Sequence, residues 1–291
     1  MEAAGSEGSF SMMQDEEQAI QTRRGRRRRG MYILPSVFTS INIAAGYYAI
    51  TQSLQGSLAA PWHFDHAALA IGLAIPFDAL DGRIARMTGT TSDFGRELDS
   101  LADVITFGVA PSILAWSWGF RTLHMLPDSV GYQKLIAFGT FISFMFLICG
   151  ACRLARFNIS VNPAPSNPGR PDRKYFVGMP IPGAAGAVAS VIHFFDGSPI
   201  YQWWWALVWM IFVGCVGLLM VSRWRFWSGK EINMGHRHPF QTVVLVAVVI
   251  ALIALNSEWA LILISLGYLS SGLLARLAYS WQRRLAAPRS V

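Results

Sequence analysis

Asp78-Ala79-Leu80-Asp81-Gly82-Arg83-Ile84-Ala85-Arg86 is followed, after eight residues, by Gly95-Arg96-Glu97-Leu98-Asp99-Ser100-Leu101-Ala102-Asp103. The two stretches place four carboxylates among segments that otherwise read as apolar helices. An Asp at the centre of a spanning helix costs roughly 2.5–3.5 kcal/mol on insertion scales. An acid held at such a position therefore marks a functional site. Asp78 and Asp81 are three residues apart, and Asp99 and Asp103 are four apart. At about 100° per residue each pair shares one helix face, so two antiparallel helices can aim all four acids at a common point.

The surrounding composition is that of a membrane protein. Of 291 residues 53% are hydrophobic and 14% charged, with 11 Trp, and the mean hydropathy is +0.37. A soluble chain carries about 25% charged residues. Apolar runs near the roughly 20 residues needed to cross a bilayer recur at 33–53, 67–87, 96–119, 133–156, 179–196, 203–222, 240–256 and 259–280. The expected fold is an all-α, polytopic helical bundle of about eight transmembrane helices. One membrane domain over 31–285 is expected, flanked by an arm at 1–30 and a short tail at 286–291. No internal repeat is evident.

Charge sets the expected orientation. Arg and Lys gather before the first span (Arg23 to Arg29), then around Arg86 and Arg96, from Arg153 to Lys174, from Arg223 to Arg237, and from Arg283 to Arg289. Arg121 and Lys134 are the exceptions on the other side. The positive-inside rule puts both termini and the acids on the cytoplasmic face of a cell membrane. Trp203-Trp204-Trp205 falls at an outer boundary, where aromatic belts sit. Residues 1–30 are polar and rich in Gly, Ser and Glu, the composition of a disordered arm, and no apolar segment begins early enough for a signal peptide. The Arg run reads as a topogenic anchor beside anionic headgroups rather than a nucleic-acid site. The net charge of +7 comes largely from it.

Four clustered anions need neutralising charge: two unit charges about 4 Å apart repel by roughly 4 kcal/mol at an effective dielectric of 20. An all-oxygen donor set without His or Cys suits hard ions such as Mg²⁺ or Mn²⁺. Mg²⁺ takes substrate phosphates as further ligands, which points to a phosphate-bearing substrate. Gly82, Ala85 and Gly95 leave room for a nucleotide or pyrophosphate to approach the backbone, and Arg83 and Arg86 stand near enough to meet a phosphate. The competing reading, interhelical salt bridges with Arg83, Arg86 and Arg96, leaves the register of four acids unexplained. A cation or proton transporter would instead need the acids near the bilayer midplane on broken helices.

At every fixed position and spacing, Asp78 to Asp103 resembles the signature of the CDP-alcohol phosphatidyltransferase family. The resemblance implies transfer of a phosphatidyl group from CDP-diacylglycerol to an alcohol, with release of CMP. It implies that Asp78, Asp81 and Asp99 hold divalent cations, two in number. Asp103 would be the general base and a further metal ligand. Gly82, Ala85, Arg86 and Gly95 would bind the donor. A homodimer is the expected assembly.

The acceptor must be read elsewhere. Cys149 to Asn158 (CGACRLARFN) and Phe176 to Ala185 (FVGMPIPGAA) resemble segments of the phosphatidylserine synthase branch. So do Pro35, Thr39, Asn42 and Gly46 on the first span, where Thr39 and Asn42 are expected at the donor, and Ser222, Arg223 and Lys230. Departures fall at Ser36, Met179, Ile181 and Gly183. The resemblance implies L-serine as acceptor. Its carboxylate needs a bidentate partner, for which Arg153 or Arg156 is expected, with Asn158 adding an amide hydrogen bond. Arg170, Arg173 and Lys174 leave open a phosphorylated acceptor such as glycerol-3-phosphate or an inositol phosphate, and choline is a further alternative. Cys149 and Cys152 form a C-x-x-C without a second pair, and Cys215 lies in an apolar span, so all three read as small packing residues. His236 and His238 lack ligand company. Gly183 to Ala187 suits close helix packing, within the chain or between subunits.

Overall fold

The computed structural model describes residues 37–88, 93–124, 129–161, 175–227, 244, 247–248 and 251–286. The described chain is helical. α1 covers 37–55, α2 Trp62–Thr88 and α3 Asp93–Asp103. A π-helical run, Val104–Val109, continues directly into α4, Ala110–Phe120. α5 is Val130–Val161, α6 Ile181–Phe194 and α7 Trp203–Val221. The described positions 244, 247–248 and 251–255 belong to α8, and α9 is Ser257–Ala286. The all-α expectation meets one addition, a small antiparallel ladder of β1 (Tyr175–Val177) and β2 (Arg225–Trp227), in which Phe176 faces Phe226.

Among the described residues, three segments are long and apolar enough to cross a membrane: Phe94–Phe120, Val130–Ile159 and Trp203–Val221. They coincide with expected spans at 96–119, 133–156 and 203–222. The fifth expected span, 179–196, is a helix of 14 residues, about 21 Å at 1.5 Å per residue against a hydrocarbon core of about 30 Å. Its start is fixed by proline. Pro180 is the N-cap, and Pro182 stands in the first turn, where a missing N–H costs nothing. The arm at 1–30, Pro35, Ser36 and positions 240–243, 245–246 and 249–250 of the expected span 240–256 lie outside the described residues.

Within a bilayer, helices gain little from apolar burial and associate by close packing. α6 is the centre of that packing, set between α2 and α9, with Ile181, Ala184, Ala185, Ala187, Val188 and Ile192 buried. A Cβ on Gly186 would lie 2.9 Å from Ile75 Cδ1, and one on Gly183 would lie 3.0 Å from Tyr268 Cε1. The small-residue stretch therefore serves packing inside the chain. Gly46 of α1 has the same role, since a Cβ there would come 2.8 Å from Thr106 Cα.

At the end of the bundle remote from the signature acids, polar groups tie the elements together. His193 of α6 donates from Nδ1 to Asp65 Oδ1 of α2 (2.5 Å), and its Nε2 pairs with Ser257 Oγ of α9 (2.8 Å). Arg121 donates to Leu54 O (3.1 Å) and to Gly56 O. The His124 amide donates to Tyr201 O (2.9 Å), and the two rings stack.

Candidate active site

The second half of α2 and the second half of α3, which ends at Asp103, bring three signature acids together. Carboxylate oxygens of Asp78, Asp99 and Asp103 all lie within 4.8 Å of one another, each partly buried. Asp78 and Asp103 are close enough to share a hydrogen bond, while Oδ1 of Asp103 is buried with no partner among the described residues. Three carboxylates at this spacing, one with an unpaired buried oxygen, fit a hard divalent cation as an all-oxygen donor set. The fourth signature acid, Asp81, is in α2 one turn from Asp78, and its side chain lies outside the described residues, as do those of Ala85 and Arg86. Gly82 and Gly95 are partly exposed beside the acids.

The π-helical run begins at the residue after Asp103. Such a turn inserts one extra residue into a helix and commonly sits at functional sites. It buries Thr106, Phe107 and Gly108, and Thr106 Oγ1 donates to Asn42 O of α1 (2.8 Å). Here the wide turn sets the register between the acid pair of α3 and the buried helix that follows. Hydrophobic pattern gives no sign of it, because an apolar run has the same composition in α and π geometry.

On α1, Thr39 and Asn42 are both buried. Among the described residues, neither Nδ2 nor Oδ1 of Asn42, a residue only 2% exposed, has a hydrogen-bond partner. Asn42 lines an apolar groove of about 410 Å³ between α1 and α2, walled by Ala45, Tyr48, Leu69, Leu73 and Phe77. Phe77, a wall residue of the groove, directly precedes Asp78 in the sequence.

The three candidate acceptor residues at the end of α5 are placed differently. Arg153 is 8% exposed and its Nε is buried with no hydrogen-bond partner among the described residues. Its guanidinium lies over the Phe157 ring at 5.8 Å, within electrostatic range of both Asp103 and Tyr268. Arg156 is exposed and donates to Val221 O at the end of α7 (3.3 Å). Asn158 donates to Ser100 Oγ (2.9 Å), joining α5 to α3 next to Asp99. Arg170, Arg173, Lys174, Lys230, His236 and His238 lie outside the described residues. Cys149 is buried and Cys152 and Cys215 are exposed, all as free thiols.

The second segment that resembles the serine branch forms a wall of this end. Gly178 has φ +80°, and a Cβ there would come 2.4 Å from Met220 O, so only glycine suits the turn. Its amide donates to Trp224 O (2.8 Å) and that of Met179 to Leu219 O (3.1 Å), anchoring the chain to the end of α7. The opposing strand buries Phe226.

Residues 32–207 match the family model described as CDP-alcohol phosphatidyltransferase. The chain is 36% identical over 209 residues to a CDP-diacylglycerol–serine O-phosphatidyltransferase of Helicobacter pylori, covering 70% of this chain and 75% of that one. It is 35% identical over 199 residues to the Bacillus subtilis protein of the same name, covering 67% of this chain and 90% of that one. An archaetidylserine synthase of Methanothermobacter thermautotrophicus is 36% identical over 161 residues, 54% of this chain and 56% of that one.

Proposed function

The chain belongs to the CDP-alcohol phosphatidyltransferase family, and from that premise we propose that it transfers the phosphatidyl group of CDP-diacylglycerol to L-serine, forming phosphatidylserine and CMP. One observation carries the reading: a buried arginine, Arg153, whose Nε has no hydrogen-bond partner among the described residues, stands within electrostatic range of Asp103 in the carboxylate cluster. An acceptor bearing both a hydroxyl and a carboxylate can engage Asp103 with the first and Arg153 with the second.

Asp78, Asp81, Asp99 and Asp103 would hold the divalent cations, two Mg²⁺ or Mn²⁺ ions. When bound, they neutralise the pyrophosphate and the departing CMP phosphate and favour in-line displacement. Gly82, Ala85 and Gly95 give the cytidine diphosphate access to the backbone, and Arg86 meets phosphate charge. Asn42 offers its unpaired amide to the polar part of the lipid, and Thr39 lies one turn away. The apolar groove beside Asn42 suits an acyl chain.

Asp103 accepts the proton of the serine hydroxyl as its oxygen attacks the phosphatidyl phosphorus. A new P–O bond forms, the bond from that phosphorus to the bridging pyrophosphate oxygen breaks, and CMP leaves with the bond's electron pair. Arg153 holds the serine carboxylate and so fixes which hydroxyl reaches Asp103. Asn158 supports the α5–α3 junction through Ser100, and Arg156 is a peripheral charge.

The accompanying topology is one membrane domain over 31–285 with about eight spans, the arm and tail on the cytoplasmic side of the cell membrane, and a homodimeric assembly. There a water-soluble acceptor meets a lipid whose acyl chains stay in the bilayer.

The test is to incubate the purified protein with CDP-diacylglycerol, Mn²⁺ and a panel of labelled alcohols, measuring CMP and lipid product. Phosphatidylserine is the expected product. Product from glycerol-3-phosphate, an inositol phosphate or choline but not from serine would overturn the acceptor assignment. No CMP with any alcohol would overturn the enzyme.

A further inference from the structure

The helix that carries Asp99 and Asp103 has little packing of its own. α3 spans 11 residues, and among its described side chains only Ala102 is buried. Phe94 and Leu101 are exposed, and the helix packs on the π-helical run that continues it. Its acids face a repulsive neighbour. Carboxylate oxygens of Asp78, Asp99 and Asp103 lie within 4.8 Å of one another, and ionised carboxylates at that spacing repel until cations neutralise them. Such repulsion pushes α3 away from α2 or turns it about its axis.

A side-chain hydrogen bond opposes both motions. Asn158 Nδ2 of α5 donates to Ser100 Oγ of α3 (2.9 Å). At about 100° per residue, Ser100 sits about 100° round the helix from Asp99 and about 60° from Asp103. It therefore flanks the acid face, and a tether there fixes the rotation of both acids. The other end of the tether is well held. α5 packs against α4, α7 and the π-helical run, and Leu154, one turn before Asn158, is buried. The bond directs the Asn158 amide nitrogen to α3 rather than to the acceptor.

We propose that Asn158 and Ser100 are a positioning pair for the cation site, their hydrogen bond holding Asp99 and Asp103 in the arrangement that divalent cations require. The inference rests on the cation-dependent reading above. Part of the repulsion among the acids is then offset by the fold before the cations arrive, which is preorganisation of the donor set. The same bond links the acid helix to α5, the helix that carries Arg153. Neither residue of the pair touches a reacting atom.

The experiment compares wild type, Asn158→Ala, Ser100→Ala and the double variant, each full-length in phosphatidylcholine nanodiscs, with empty discs as control. Mn²⁺ binding is measured without substrates, from the electron paramagnetic resonance signal of the free ion. The serine KM at saturating Mn²⁺ and the thermal midpoint without cation are measured alongside. A hydrogen bond between neutral groups corresponds to about a two- to tenfold effect on affinity. Each single variant should bind Mn²⁺ weaker by that factor, and the double variant no weaker than either, since all three lose the same bond. The serine KM and the midpoint should stay close to wild type. Unchanged Mn²⁺ affinity in the single variants would overturn the proposal, and so would additive losses in the double variant. A serine KM raised in Asn158→Ala but not in Ser100→Ala would also overturn it, by making Asn158 a direct contact of the acceptor. A midpoint that falls sharply in Ser100→Ala would mark general loosening and overturn it as well. Mn²⁺ binding by wild type separates these outcomes from failure of the cation reading, and absence of that binding would remove both.

Discussion

The two ends of the bundle handle buried polar groups in opposite ways. At one end, Asp65, His193 and Ser257 satisfy one another, and Arg121 spends its guanidinium on two backbone carbonyls. At the other, Asp103 Oδ1, Arg153 Nε and the Asn42 amide are buried with no partner. A buried polar group lacking a hydrogen bond costs about 1–3 kcal/mol, more when charged. A fold that leaves a carboxylate oxygen and a guanidinium nitrogen unpaired in one neighbourhood, while pairing the ionisable groups Asp65, His193 and Arg121 at the other end, keeps the first neighbourhood for a ligand. The unpaired groups away from the acids (Ser117, Trp118 and Ser143) are neutral, so the contrast is sharpest for charge.

Substitutions can break this comparison. The largest effect is expected from Asp103→Asn, which retains shape and removes the proton acceptor. Transfer should fall by about 10²–10⁴-fold, the span of general-base catalysis, while CDP-diacylglycerol binding measured by titration is retained. Loss of binding as well would make Asp103 chiefly a cation ligand. Next comes Arg153→Ala, expected to raise the serine KM by roughly 10–100-fold, the scale of one charge-assisted hydrogen-bond pair, with the lipid KM little changed. Equal rises in both would detach Arg153 from the acceptor.

At the far end the expected readout moves from activity to stability. His193→Ala strands Asp65 and Ser257 and should cost about 1–3 kcal/mol, seen as a lower thermal midpoint with serine and lipid KM values unchanged. An altered KM at intact midpoint would dissolve the distinction between the ends. The smallest effect belongs to Arg156→Ala. This exposed residue with one long backbone hydrogen bond should alter serine KM by no more than about twofold, in keeping with surface interactions of at most ~0.5 kcal/mol.

Legibility in the sequence follows the same division. The acid cluster was readable because carboxylates in apolar helices at spacings of three and four leave few geometric options, and Asp78, Asp99 and Asp103 do converge. The small residues Gly183 to Ala187 were readable as a packing stretch, though not their partners, while the packing of Gly46 against Thr106 was not. The π-helical run was not, since Val104 to Val109 is apolar under any helical period. Strands of three residues beside a Pro-rich loop carry no alternation long enough to detect. The Asp65–His193–Ser257 tie joins residues 128 and 64 positions apart, and a lone His near the end of an apolar helix gives no hint of either partner. Arg153 and Arg156 look equivalent in Arg-Leu-Ala-Arg, and only the packing around α5 buries one and exposes the other. Tyr268 is one aromatic residue among many in an apolar span, and its packing against Gly183 and Phe226 joins three separate segments.

The central claim is that the unpaired end is a cation-dependent site joining CDP-diacylglycerol to serine. Its most direct test is the stoichiometry of CMP released to phosphatidylserine formed by the wild-type protein as divalent cation is removed by chelation and restored. The expected result is one CMP per phosphatidylserine at every cation concentration, both falling to background with chelator and both returning with Mg²⁺ or Mn²⁺. Phosphatidylserine formation that persists after chelation, or CMP release without lipid product in the presence of serine, would contradict it.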